Sequence, residues 1–250
     1  MMLHLPPFEV LLVLGVVGFY LVDSAQLLYR NELLLHSTGS TWHASAPSGL
    51  PLRGRYLHVP NPFAPGQLLL RLNWYTSAPA LDRQALLELQ RTLQPLRYLC
   101  GLLAIQLLLG LPLVLLLFRP GAVWLTQMAA IYLILLTQAV YLWQQRAALG
   151  LSRKAALMLA FEVITCPPFG LNLLRRLSLM HPLHGDSLPL LQQLLPATAQ
   201  TALFTTLQQQ LEEDLLLEAD DSPERTTLLA LQARLAQLNP APAATADTPD

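Results

Sequence analysis

Between residues 161 and 176 the chain reads FEVITCPPFGLNLLRR, which sets Glu162, Cys166, Asn172, Arg175 and Arg176 among residues suited to a membrane core. Each could do chemistry. A carboxylate at membrane depth is an acid, a base or an ion ligand, a thiol is a nucleophile once deprotonated, and an amide beside arginines binds anions. A spacing of four puts Glu162 and Cys166 on one helical face, and Asn172 and Arg176 on one face of the next helix. Between them Pro167 and Pro168 both lack an N–H, and the second drives the first out of the α region, which predicts a break near Cys166. Broken backbone at that depth persists only where protein or a water-filled cavity satisfies the freed carbonyls, so the segment must pack on its neighbours or line a cavity.

The plainer reading of the same residues is preferred. Glu162 then pairs with an arginine, Asn172 caps freed carbonyls, and Cys166 is a small apolar residue. Glu162 lies only about eight residues from Lys154, close to an interface, and the stretch holds no histidine that would make a thiolate of Cys166. His181 and His184, three apart with Asp186 nearby, resemble half of a metal site but lack further ligands. His36, His43 and His58 fall on predicted strands as ordinary surface or core residues. Gln106, Gln127 and Gln138 lie in apolar segments, where interhelical hydrogen bonding is their expected role. Three amides are too few to line a conduction path. No Walker lysine loop, GxGxxG, HExxH or GxSxG supports nucleotide, zinc-protease or serine-hydrolase chemistry, and no cofactor is expected.

The elements that hold these residues read as membrane segments. Hydrophobic residues make up 53% of the chain and charged ones 12%, and the mean hydropathy is +0.42. A charged fraction about half the globular norm of about 25% argues for an apolar surrounding. Tyr98 to Phe118 is uncharged and long enough to cross about 30 Å of hydrocarbon. Gly121 to Trp143 is a second such segment, with Trp124, Tyr141 and Trp143 where interfacial aromatics sit, and Arg119-Pro120-Gly121 is the turn between them. A further span starts near Phe8 and is expected to continue through DSAQLLY as an uncleaved anchor. Lys and Arg cluster on the long-loop side and after the hairpin, which predicts the N-terminus outside and the long loop inside.

The soluble parts change language twice. NELLLHST, TWHAS, GRYLHV and GQLLLRLNWY, punctuated by Gly and Pro, predict a small antiparallel β unit of three to five strands between about Asn31 and Ser77. LDRQALLELQRTLQPLRY is amphipathic, with Leu86, Leu89, Leu93 and Leu96 on one stripe and a bend expected at Pro95. Beyond Asp186, leucines recur at 203, 207, 211 and 215 and again at 228, 231, 235 and 238, predicting two helices that form a hairpin.

These segments give an α-helical integral membrane protein with three spans plus one broken re-entrant or interfacial segment, or four spans, carrying a small antiparallel β insert and a C-terminal soluble helical region. The expected divisions are an anchor (1–30), the β insert (31–78), a juxtamembrane helix (79–97), the transmembrane hairpin (98–146), the broken segment (147–182), an acidic helical region (183–239) and a disordered tail (240–250). Residues 1–181 carry a net charge of +7 and residues 182–250 of −8, so the tail is no nucleic-acid partner. The expected setting is a bacterial inner membrane, multi-pass, with insert and tail cytoplasmic. The expected partners are the bilayer itself and either a protein or a second copy, met through the spans and the C-terminal helices. The preferred role is a non-enzymatic assembly or accessory protein; the alternative is a small membrane enzyme or transporter component acting on an anionic or lipid-like substrate at the Pro-Pro break.

Overall fold

The computed structural model describes residues 8–29, 31–38, 41–46, 51–52, 55–59, 61, 64, 66–74, 80–117, 121–181, 183, 185–217 and 222–238. The tail at 240–250, Arg119 and Pro120 of the expected hairpin turn, and His184 lie outside these residues. Helix α1 (Phe8–Ser24) leads into strands β1 (Gln26–Leu28), β2 (Glu32–Thr38), β3 (Thr41–Ser45), β4 (Pro51–Leu52), β5 (Arg55–His58) and β6 (Leu68–Asn73). They form two antiparallel three-stranded sheets, ordered β1-β5-β4 and β3-β2-β6. In β6 the alternation expected of a half-buried strand fails at Leu69, which is buried along with Leu68, Leu70 and Leu72. Those three join the core that includes leucines of the later helix α7, whereas Leu69 lies opposite His36 and lines the cavity shared by His36, His43 and His58.

Helix α2 (Arg83–Ala104) starts at Asp82, whose side chain accepts from Gln84 N. Its Leu86, Leu89, Leu93 and Leu96 are fully buried, each contributing roughly 1.5–3 kcal/mol. The helix does not stop at Pro95. It runs on through a π-helical turn (Ile105–Gly110) into α3 (Leu111–Leu117), so the juxtamembrane helix and the apolar segment are one rod. Pro95 supplies no N–H to Arg91 O, and beside that gap Tyr141 Oη donates to Thr92 O at 2.7 Å. Helix α4 (Ala122–Gln144) returns alongside, and Gly150, with φ of 67°, reverses the chain into α5 (Arg153–Thr165), which packs along α4.

Two helical stretches among the described residues are long and apolar enough to cross a membrane, Arg83–Leu115 and Ala122–Gln144, each holding an 18-residue window, of mean hydropathy 2.2 and 1.6 respectively. This corrects the expected three spans plus a broken segment, or four. Helix α1 ends at Ser24 instead of continuing through DSAQLLY, because Gln26–Leu28 is claimed by pairing with β5. The stretch after Trp143 is divided into α5, α6 (Pro167–Leu171) and α7 (Leu173–Met180), of 13, 5 and 8 residues, none of spanning length. For the two candidate stretches, only 33% and 28% of the apolar window is buried, whereas the core helix of a soluble protein is mostly buried. Tyr98, Leu109 and Leu117 on one rod and Leu125 and Leu133 on the other face outward, each about two-thirds or more exposed. Apolar surface on this scale marks a membrane or protein contact, and the two helices favour membrane association.

Helices α8 (Leu188–Leu194), α9 (Ala197–Leu217) and α10 (Pro223–Leu238) close the chain. Leu203, Leu207 and Leu211 of α9 and Leu228, Leu231 and Leu235 of α10 are buried where the two helices pack on each other. They are fastened to the body: Arg234 pairs with the buried Asp186, whose carbonyl accepts from Leu81 N at 3.0 Å, and Ser187 Oγ donates to Asn73 O at 3.1 Å.

Candidate functional site

Helix α5 ends because Pro167 and Pro168 can supply no N–H to its last turn. Cys166 takes an extended-side conformation (φ −133°, ψ 89°), its N–H still reaching Glu162 O at 2.9 Å, and both prolines enter the first turn of α6, where a missing donor costs nothing. A second break falls at Asn172 (φ −95°, ψ 3°), between α6 and α7. Two breaks within seven residues turn successive side chains in different directions. The five candidate residues are thereby sorted into separate places.

Asn172 and Arg175 go inward, 1% and 2% exposed, to meet the end of α1. Asn172 Nδ2 donates to Asp23 Oδ2 at 2.8 Å and Tyr20 O at 3.2 Å, while its Oδ1 accepts from Ser24 Oγ at 3.0 Å. Arg175 Nη1 donates to Ser24 Oγ at 3.1 Å and to Tyr20 Oη and Asn172 Oδ1 at 3.3 Å. Its Nη2 donates to the carbonyls of Asn61 and Ala64, at 2.6 and 2.7 Å. The guanidinium is thus met by neutral oxygens, with the Asp23 carboxylate one amide away. Burial pushes the Arg175 pKa down, and the Tyr20 phenol opposes that shift.

Glu162 and Arg176 form a different, half-exposed pair, 2.8 Å apart, with the Arg176 guanidinium 4.7 Å from the Phe169 ring centre. Cys166 is a half-buried free thiol. The remaining polar groups hold the break against the hairpin. Gly170 O accepts from Cys100 Sγ at 3.3 Å and Gln138 Nε2 at 3.2 Å. A Cβ at Gly170 would come within 2.8 Å of the side-chain tips of Leu103, Leu135 and Gln138, so any larger residue would push those side chains away from the break. Gln127 Nε2 donates to Gln106 O at 3.0 Å and Gln106 Oε1 at 2.8 Å; Gln138 does not join that pair.

Three features escaped sequence reading. Tyr20, Asp23 and Ser24 complete the Arg175 site, and the signal available was a polar i, i+3, i+4 face at the end of an apolar helix. Gly170 gave no signal beyond its neighbouring prolines. His36, His43 and His58, from β2, β3 and β5, line one cavity of about 320 Å³ with Asn61 and Gln67. His36 and His43 are cross-strand partners whose rings stack at 5.4 Å. Burial lowers the pKa of both His36 and His58, with His43 and His58 adding to the first shift and Arg175 to the second. Among the described residues no group of three or more His, Cys, Asp or Glu is placed to hold a metal ion. His181 is described, with its Nδ1 buried and unbonded, and the metal-site expectation at His181 and His184 gains no further ligand.

The acid, the amide and the two arginines at the breaks are each engaged with other groups of the same chain, while Arg175 Nε and Gln138 Oε1 are buried without a hydrogen-bond partner. The chain matches no family model, and neither a curated protein nor a solved structure is similar to it.

Proposed function

We propose that this protein is a membrane-anchored assembly or accessory protein without catalytic activity of its own. The observation that carries the reading is the contrast between a polar break closed on itself and an outward apolar flank on the helical hairpin. An enzyme or transporter site at the break would need convergent polar groups turned toward a ligand. Here Arg175 is directed at the carbonyls of Asn61 and Ala64, and Glu162 at Arg176.

The setting proposed is a bacterial inner membrane, with the β unit and the C-terminal helices together on the cytoplasmic side. Contacts of β6 with α7 and of β3 with α9 support a common side for the two. The basic residues at the ends of the rods, Arg83, Arg91 and Arg97 before and Arg146, Arg153 and Lys154 after, support that side being the inner one. Partner contacts are assigned to the apolar flank and to the exposed Leu216 and Leu229 on the C-terminal helices.

The test is alkaline carbonate washing of membranes from cells producing the full chain, followed by native electrophoresis in mild detergent. Retention in the washed membrane, then migration as a discrete species heavier than the monomer, is expected. Release by carbonate would overturn the anchoring, and migration as a monomer would overturn the assembly role.

A further inference from the structure

Where α2 passes from the sheet toward its apolar half, a groove of about 470 Å³ opens between the helix and the β3-β2-β6 sheet. Gln90, Arg91, Gln94 and Arg97 line its helical wall, with Ser37 of β2 and Gly66 opposite. None of the residues lining it is acidic, and neither arginine makes a side-chain hydrogen bond or ion pair among the described residues. These two guanidinia differ in this from Arg175, whose two Nη atoms donate to oxygens of the same chain, and Arg176, which pairs with Glu162. Gly66 lies so close that a Cβ there would stand 2.9 Å from Arg97 Cγ, so the loop presses on the stem of Arg97 and restricts where its head can go.

The same helical face continues past the groove. Arg91, Gln94, Tyr98, Leu102, Ile105 and Leu109 follow one another at spacings of three and four, and from Tyr98 onward the side chains are apolar and 45% to 69% exposed. Tyr98 to Leu109 rises about 16 Å, close to the hydrocarbon depth of one leaflet, about half of 30 Å. A cationic pocket at the top of an outward apolar stripe one leaflet deep has the dimensions of a single phospholipid.

We propose that this groove binds one anionic glycerophospholipid, its phosphate between Arg91 and Arg97, its headgroup hydroxyls on Gln90 and Gln94, and an acyl chain along Tyr98, Leu102, Ile105 and Leu109. Guanidinium suits the phosphate because its planar fork donates two parallel hydrogen bonds to one oxyanion. A zwitterionic headgroup would bring an ammonium beside two guanidinia, so the site selects a net negative lipid such as phosphatidylglycerol. This assignment rests on the membrane-anchored reading above, and it adds a ligand that the anchoring alone does not require.

The experiment purifies the full chain from mixed micelles of equal phosphatidylglycerol and phosphatidylcholine and measures retained lipid by native mass spectrometry. Wild type should retain phosphatidylglycerol on the order of ten-fold over phosphatidylcholine, given the attraction of two arginines for an anionic headgroup. Arg91→Gln/Arg97→Gln should bring the ratio near one, and Arg91→Lys/Arg97→Lys should keep part of the preference, which separates charge loss from misfolding. A ratio near one in wild type would overturn the site, as would displacement of the lipid by millimolar inorganic phosphate, which would make the ligand a free anion. Wild type that survives the carbonate wash yet shows no selectivity defeats only the lipid site; wild type released by carbonate defeats the membrane reading itself.

Discussion

Arg175 and Tyr20 meet although 155 positions separate them, the guanidinium Nη1 donating to the phenol oxygen at 3.3 Å. That contact ties the second break of the hydrophobic stretch to the last turn of α1, and through Nη2 to the loop before β6. A buried arginine so placed is a fastener between three parts of the chain. Its charge makes each of those hydrogen bonds stronger than a neutral one, and makes its removal expensive because the oxygens it serves are then short of a donor.

Arg175→Met should therefore destabilise the protein by roughly 3 kcal/mol, the scale of losing hydrogen bonds to a buried charged group. Arg175→Lys should recover only part of this, since one ammonium cannot reach both carbonyls and the Ser24 and Asn172 oxygens together. Unfolding midpoints in detergent, with limited proteolysis around Asn61, read both effects. Full recovery by lysine would show that only the charge matters.

A paired glycine test probes how the break docks on the hairpin. Gly170→Ala forces a methyl to within 2.7 Å of Leu103 of α2 and Leu135 of α4 and 2.8 Å of Gln138 of α4, and should cost about 1–3 kcal/mol as overpacking. Gly101→Ala, in the same region but with nothing within 4 Å of the added carbon, should stabilise the helix by about 0.5–1 kcal/mol. Thermal unfolding of the two variants should move in opposite directions. Equal behaviour would mean that Gly170 O is not held by Cys100 and Gln138.

What could be read from the chain beforehand divides along the range of the interaction. The breaks around Pro167 and Pro168 and the leucine spacings of α9 and α10 are local chemistry, a missing N–H or a 3.6-residue repeat, and so are legible. Where α1 ends is not, because Gln26–Leu28 leaves the helix to pair with β5, about thirty residues on. The candidate residues Glu162, Cys166, Asn172, Arg175 and Arg176 look like one cluster in sequence, but two breaks rotate them apart, and which way each turns depends on partners as distant as Tyr20. The three histidines are the converse case: scattered over three strands, they converge only once the register of two sheets is set.

The Gln127–Gln106 pair gives a coupling that a double-mutant cycle can measure. Gly110 leaves room for both amides, its hypothetical Cβ lying 2.9 Å from Gln127 Nε2 and 3.1 Å from Gln106 Oε1. Gln127→Ala should cost about 0.6 kcal/mol and at most about 1.7, the range for hydrogen bonds between membrane helices. Gly110→Ala should cost a similar amount in wild type by pushing the amides apart, and less in the Gln127→Ala background, where the bond is already gone. Strict additivity would show that the π-helical turn is shaped by something other than this pair.

Acid should weaken the β unit through His36 and His58. Both have pKa values below the ordinary value near 6.5, chiefly from burial, so the folded state prefers them neutral. The unfolded chain then binds more protons as pH drops, and their contribution is complete above about 6.5 and lost as pH falls through the lowered folded values. The groups around them reinforce this direction: His43 from β3 and His58 lower His36, Arg175 from α7 lowers His58, and Asn61 and Gln67 are neutral. Unfolding measured from pH 8 to pH 4.5 should show a midpoint that declines below about 6.5. His36→Gln/His58→Gln should flatten that decline while leaving the midpoint at pH 8 nearly unchanged. An equally steep decline in the double variant would assign the acid sensitivity to other groups, with the carboxylates of the C-terminal helices the next to be replaced.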